Sequence, residues 1–289
     1  MKSNENVTSD TRSGGKMMVR VAVSSMFFHG YPLDEIFAYT EEVGFDGLEF
    51  WIETPHFWIR NCPIEELRRY CAAHLGLTID VHAPVLDLNP CSINPKVAEV
   101  SRQYAWEAMN LAEDLGAEVV TFHPGRRTVK RVPARQEYER FELFLDTLRS
   151  AAKGKRVRPS MENMEHSVNA LISSPESMRE LLDDEPWLQF TLDTSHALAT
   201  SRKEVNRFID LCGDRLSMVH LSRAENGRTH LPLSGGDQGE EILKALMDSG
   251  YQGPLSLEIE DRNFTHDLSL EERITLLMRD LAYVRESWG

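Results

Sequence analysis

Eight times along this chain a short β-rich run is followed by a segment of helical periodicity, at a spacing of roughly 30 to 40 residues. That rhythm suits parallel strands joined by right-handed helical crossovers. Strands are expected at 19–24, 47–52, 77–81, 118–122, 157–161, 188–192, 216–219 and 254–257. Gly44, Gly116 and Gly154 end the intervening helices, while Pro63 and the pair Ser174-Pro175 open two of them. The economical solution is an α/β fold, a closed (β/α)8 TIM barrel over residues 17–289, typically ~250 residues long. An open doubly wound sheet would need a glycine-rich phosphate turn after the first strand, and VSSMFFHG after Val21 is not one. Residues 1–16 are polar and are expected to form a disordered leader outside the fold.

Six of the expected strands end on a residue able to bind metal or move protons: His82, His123, Glu162, Asp193, His220 and Glu258. His196 and His230 stand in the loops that follow two of them. Each of these side chains has an ordinary explanation, since a lone strand-end histidine is usually a hydrogen-bonded core or surface residue, and Asp193 would serve as a helix cap. The coincidence across six strands argues otherwise, because a barrel gathers the C-terminal ends of its strands at one mouth. With period two, Asp80, Thr121, Ser160, Thr191 and Ser256 fall on the same inward face one layer below. Carboxylates crowded into one mouth repel one another and are driven toward protonation unless a cation lies among them. Glu162, Asp193, His220 and Glu258 are therefore the expected ligands of a divalent metal, with His82 and His123 as additional ones. Mixed imidazole and carboxylate donors without thiolate suit zinc or manganese first, with iron, cobalt or magnesium as alternatives.

Composition narrows the partners. Lys plus Arg number 32 against 46 Asp plus Glu, a net charge of −14, which disfavours broad binding to nucleic acid or anionic membranes. Cys62, Cys71, Cys91 and Cys212 are scattered without a CxxC pair, which fits a reduced, cytoplasmic protein. No apolar run approaches the roughly 20 residues of a membrane span.

The ordered series VHAPVLDLNP (Val81 to Pro90), TFHPG (Thr121 to Gly125), MENM (Met161 to Met164), LDTSHA (Leu192 to Ala197), VHL (Val219 to Leu221), HLPLSGG (His230 to Gly236) and LSLEIE (Leu255 to Glu260) resembles the xylose-isomerase-like barrel superfamily. That group holds sugar isomerases and epimerases, together with abasic-site endonucleases carrying several zinc ions. The resemblance implies that Glu162, Asp193, His220 and Glu258 hold the metal common to both branches, and that in the sugar enzymes Glu162 and Glu258 are also the proton-transferring pair. The endonuclease branch implies a second metal on His82 and His123 with Glu162 bridging. It implies a third on His196, His230 and an aspartate two residues before that histidine, where this chain has Arg228, so a third ion would require Glu225 or Asp237 to turn inward.

Three functions compete on these residues. The first is a metal-dependent isomerase or epimerase of a small sugar or sugar-phosphate-like molecule. There Trp51, His196 and His230 would meet the substrate, and Arg126 and Arg228 would hold an anionic group on it. The second is metal-dependent phosphodiester hydrolysis at abasic DNA, favoured by the histidines and disfavoured by the charge balance. The third is a barrel that binds a metabolite without turnover.

Overall fold

The computed structural model describes residues 19–58, 60–61 and 63–288, so the expected leader lies outside the described residues. The barrel strands are β1 (Val21–Ser24), β2 (Gly47–Trp51), β3 (Thr78–His82), β4 (Val119–Phe122), β5 (Arg158–Glu162), β6 (Gln189–Asp193), β7 (Leu216–Leu221) and, after a hairpin, β10 (Leu255–Leu257). They follow one another around a closed parallel barrel, and β10 returns to pair with β1 through Val21↔Leu255 and Val23↔Leu257. The principal helices are α1 (Leu33–Val43), α3 (Ile64–Ala73), α4 (Pro95–Leu115), α5 (Arg135–Ala152), α6 (Pro175–Asp184), α8 (Lys203–Cys212), α9 (Gln238–Asp248) and α10 (Leu270–Trp288).

Local chemistry explains the boundaries. Asn94 caps α4 by accepting from the Lys96 N–H at 3.1 Å, Pro95 occupies its first turn, and Gly116 closes it in the left-handed region at φ 73. Gly47 is required where β2 meets β3, since a Cβ there would lie 2.9 Å from the Thr78 carbonyl oxygen. Outward residues such as Val23, Leu48, Phe50, Val81 and Phe122 are buried beneath the helices.

The barrel interior is polar. Thr191 Oγ1 donates to Ser160 Oγ at 2.7 Å and lies 3.1 Å from Thr121 Oγ1, while Ser217 Oγ donates to Ser160 Oγ at 3.1 Å. Asp80 Oδ1 accepts from the Val119 N–H at 2.9 Å, and burial lifts its carboxyl to about 6. Ser256 is buried beside them, so the layer expected below the mouth exists.

Three short elements depart from the sequence reading. Between the expected strand at 47–52 and the helix opened by Pro63, the chain forms the short helix α2 (Pro55–Trp58). Helix α7 (Thr194–Thr200) follows β6 without a break. The segment 221–239, expected as loop, folds into a hairpin of β8 (Arg223–Glu225) and β9 (Arg228–Leu231). Its turn is Asn226-Gly227, with φ of 52 and 75, the left-handed pair that a two-residue hairpin turn demands.

Beyond the hairpin the chain is tied to α10 by Asp280. This fully buried carboxylate accepts from the Leu233 N–H at 2.7 Å, from the Ser234 N–H at 3.0 Å and from Ser234 Oγ. Asp280→Ala strands these donors, so urea denaturation should show a loss of about 2–4 kcal/mol. Asp280→Asn, which keeps one acceptor, should lose less.

Candidate metal centre at the barrel mouth

The centre is organised around one carboxylate. Glu162, at the end of β5, is buried, and its Oε2 lies 3.0 Å from His123 Nε2, 3.4 Å from His82 Nε2 and 3.6 Å from His220 Nδ1. Its Oε1 lies 3.2 Å from His196 Nδ1. Burial alone would raise this carboxyl, but the imidazoles around it, His123 and His220 foremost, hold it well below the usual carboxylate range.

Asp193 divides its work between its two oxygens. Oδ1 caps α7, accepting from the His196 N–H at 2.7 Å and from Ser195 Oγ at 2.9 Å. Oδ2 is buried without a hydrogen-bond partner and lies 3.7 Å from His196 Nδ1 and 3.8 Å from His230 Nδ1. The capping role and a ligand role are therefore compatible in one side chain. Asn163 fixes the β6 end, accepting from the Asp193 N–H at 2.8 Å and donating to the Asp193 carbonyl at 3.0 Å.

His220 and Glu258 complete the set. His220 Nδ1 approaches Glu258 Oε2 at 2.8 Å, yet both atoms are buried without hydrogen-bond geometry to any partner. In the metal-free state the two form a buried ion pair, and once the imidazole is neutral its Nδ1 and the carboxylate oxygen are close enough to face a common third atom. Ligand atoms of Glu162, Asp193, His220 and Glu258 all lie within 4.8 Å of one another, as do those of His82, Glu162 and His220 and those of Asp193, His196 and His230. Three buried polar atoms from three strand ends, Asp193 Oδ2, His220 Nδ1 and Glu258 Oε2, make no hydrogen bond of ordinary geometry. A divalent cation satisfies them together, so the donor set fits the expected metal.

Residues 37–286 match the profile described as the xylose isomerase-like TIM barrel. The chain belongs to that family. Among xylose isomerase-like relatives, an uncharacterized protein of Methanocaldococcus jannaschii is 31% identical over 271 residues, covering 92% of this chain and 98% of its own length. A probable endonuclease 4 of Mycobacterium ulcerans is 27% identical over 256 residues, covering 85% of this chain and 97% of its own. A solved D-tagatose 3-epimerase-like protein superposes with a TM-score of 0.72 at 25% identity, over 93% of this chain and all (100%) of that one. Endonuclease IV of Thermus thermophilus, at 21% identity, shares the fold with a TM-score of 0.69 over 92% of this chain and 99% of its own.

In this xylose isomerase-like barrel the strand-end residues singled out from sequence, together with His196 and His230, gather at one point. Trp51 is level with His82 in the register of β2 and β3 and is nearly buried. Arg126 is exposed on the loop after β4. Arg228 is not brought into the cluster; its guanidinium donates to the Asn263 carbonyl at 3.4 Å on the outer side of the hairpin. Neither acidic substitute turns inward, for Glu225 pairs with Arg223 at 2.9 Å and Asp237 with Arg202 at 2.7 Å. His230 itself holds a left-handed backbone, φ 55, a strained conformation that aims its ring back toward Asp193.

Sequence reasoning missed Glu49. It is fully buried in the middle of β2, and its Oε1 lies 2.8 Å from His220 Nε2. That contact places the imidazole proton on Nε2 and leaves the Nδ1 lone pair for the cluster. The signal was present, because Glu49 interrupts the apolar run Leu48, Phe50 and stands opposite Asp80 in the register. No helix among the described residues is long and apolar enough to cross a membrane.

Proposed function

We propose that this chain is a divalent-metal-dependent isomerase or epimerase of a small sugar or sugar-phosphate-like substrate, with Glu162 and Glu258 as the proton-transferring pair. The observation supporting it is the convergence of those two glutamates with Asp193 and His220 around orphaned lone pairs at the barrel mouth. A cation held there, zinc or manganese by its donor set, would chelate adjacent substrate oxygens and polarise a carbonyl. Glu162, from the end of β5, and Glu258, just after β10, would remove a proton from the carbon beside that carbonyl and return one. His196 and His230 stand beside the carboxylates and would hold substrate hydroxyls, with Trp51 covering the site and Arg126 at the rim taking an anionic group. Incubating zinc- or manganese-loaded protein in heavy water with pentoses, hexoses, their phosphates and their deoxy and aryl derivatives tests this reading. Deuterium uptake at carbon is the expected result, and its absence across the panel with the metal bound would overturn the assignment.

Abasic-site hydrolysis is favoured by one specific feature, the approach of His82 and His123 Nε2 to the same Glu162 oxygen, which offers a second ligand set. The outward Arg228 and the charge of −14 weigh against it. Counting ions per chain alongside incubation with an abasic duplex separates the two. One ion with no nicking is expected; two or three ions with efficient metal-dependent nicking would reverse the order.

Glu49 has a consequence under either reading. Glu49→Gln removes the charge behind His220, and competition against a chelator should show metal affinity about 10–100-fold weaker. An unchanged affinity would mean that Glu49 is only a core residue.

A further inference from the structure

Beside the metal centre, between the loops that follow β3, β4 and β5, lies a cavity of about 230 Å³. That is room for a small organic group. His123 and His196 stand at one end, and Val85, Leu88, Phe122, Phe144 and Met164 contribute its walls. Most of the polar side chains in those walls are hydrogen-bonded within the protein. Asn89 Oδ1 accepts from the Cys91 and Arg126 N–H groups, each at 3.1 Å, and its Nδ2 donates to the Arg126 carbonyl at 2.8 Å. Ser101 Oγ accepts from the Asn89 N–H and donates to the Val97 carbonyl, and Ser167 Oγ donates to Asn169 Oδ1. Glu165 Oε1 accepts from Thr229 Oγ1 at 3.0 Å. The exceptions are Arg126, exposed at the rim with no acidic partner among the described residues, and the second oxygen of exposed Glu165.

We infer that this cavity is a binding site for an apolar group of the substrate, so that the molecule turned over carries a short aliphatic or aromatic segment joined to its oxygenated head. The inference deepens the small-molecule reading above and rests on it. A fully hydroxylated sugar chain pushed against Val85, Leu88, Phe122, Phe144 and Met164 would exchange water for carbon at the hydroxyls that meet them, without a replacement partner. A deoxygenated or aryl segment loses nothing there and gains burial, while its oxygenated end reaches the imidazoles and carboxylates.

Two probes separate the cavity from the metal centre. Metal-free protein titrated with benzyl alcohol reports through the Met164 methyl resonance, and zinc-loaded protein titrated with acetohydroxamate and benzohydroxamate reports the benefit of an apolar tail on a common chelating head. Benzyl alcohol should shift the Met164 signal saturably. Benzohydroxamate should bind roughly 10–100-fold more tightly than acetohydroxamate, the value of burying a phenyl-sized group. Ala105→Leu and Ala170→Leu fill the cavity from two different walls. Either variant that folds should abolish the benzyl alcohol shift and bring the two hydroxamates close to equal, with acetohydroxamate binding unchanged. No saturable shift in the unmodified protein, or a hydroxamate ratio untouched by both variants, would overturn the inference. A benzyl alcohol shift without binding of either hydroxamate would instead remove the metal-centre reading and leave the apolar site standing.

Discussion

Glu258→Gln should reduce deuterium exchange at the substrate carbon by roughly a thousandfold, the scale of a lost positioned acid–base group. Glutamine preserves the shape of the side chain and one donor oxygen, but it cannot carry a proton between carbon and solvent. The ion should therefore remain bound more weakly while exchange collapses, and measuring both on the same sample distinguishes loss of metal from loss of proton transfer. Glu162→Gln should be more severe. His82, His123, His196 and His220 all face this carboxylate, and the amide would leave them crowded without the charge that draws them together. Its metal content should fall along with its exchange rate. Full exchange by a metal-loaded Glu258→Gln protein would exclude that residue from the proton-transferring pair.

Much of this centre was legible because a closed barrel converts strand endings into neighbours. Once eight strand–helix units were recognised, the ends of β3 to β7 and β10 had to meet, and parity placed Thr121, Ser160 and Thr191 beneath them. Glu49 escaped because it lies within its strand, and attention to strand ends passes over an acid in mid-run even where the same parity marks it as inward. Helix α7 starts directly at the cap the sequence offered. Asp193 is both a strand end and an N-cap, so the strand passes into helix with no loop residues to announce the change. The hairpin β8–β9 was announced by Asn226-Gly227, but its strands are too short to show alternation. Arg228 could not be placed from sequence at all, since a residue facing outward and one facing inward differ by a single step along β9, and His230 adds a left-handed turn to that count.

Metal binding should be strongly proton-linked, with affinity rising as pH rises. In the metal-free protein burial pushes His82 and His196 down, but Glu162 for the first, and Asp193 with Glu162 for the second, lift them to about 9 and about 10. His220 is raised in the same way, by Glu258 and Glu49. His220, the one imidazole in the proposed ligand set, must lose its proton to ligate, so at pH 7 loading releases a proton and affinity should climb about tenfold per pH unit, more steeply if His82 or His196 also deprotonates. Calorimetry in two buffers of different ionisation enthalpy counts those protons directly. Stability should diverge accordingly. The raised imidazoles stabilise the metal-free fold fully below their unfolded value of about 6.5, and that contribution disappears as pH rises through 9 to 10. The loaded protein should fall less or stay level over the same window, because the ion binds more tightly as the imidazoles lose their protons. With free metal at a thousand times Kd the added stability is about 4 kcal/mol, or on the order of 10 °C in Tm. Parallel melting curves with and without chelator from pH 6 to 9 should therefore separate progressively; curves that coincide throughout would mean that these eight acids and imidazoles hold no ion.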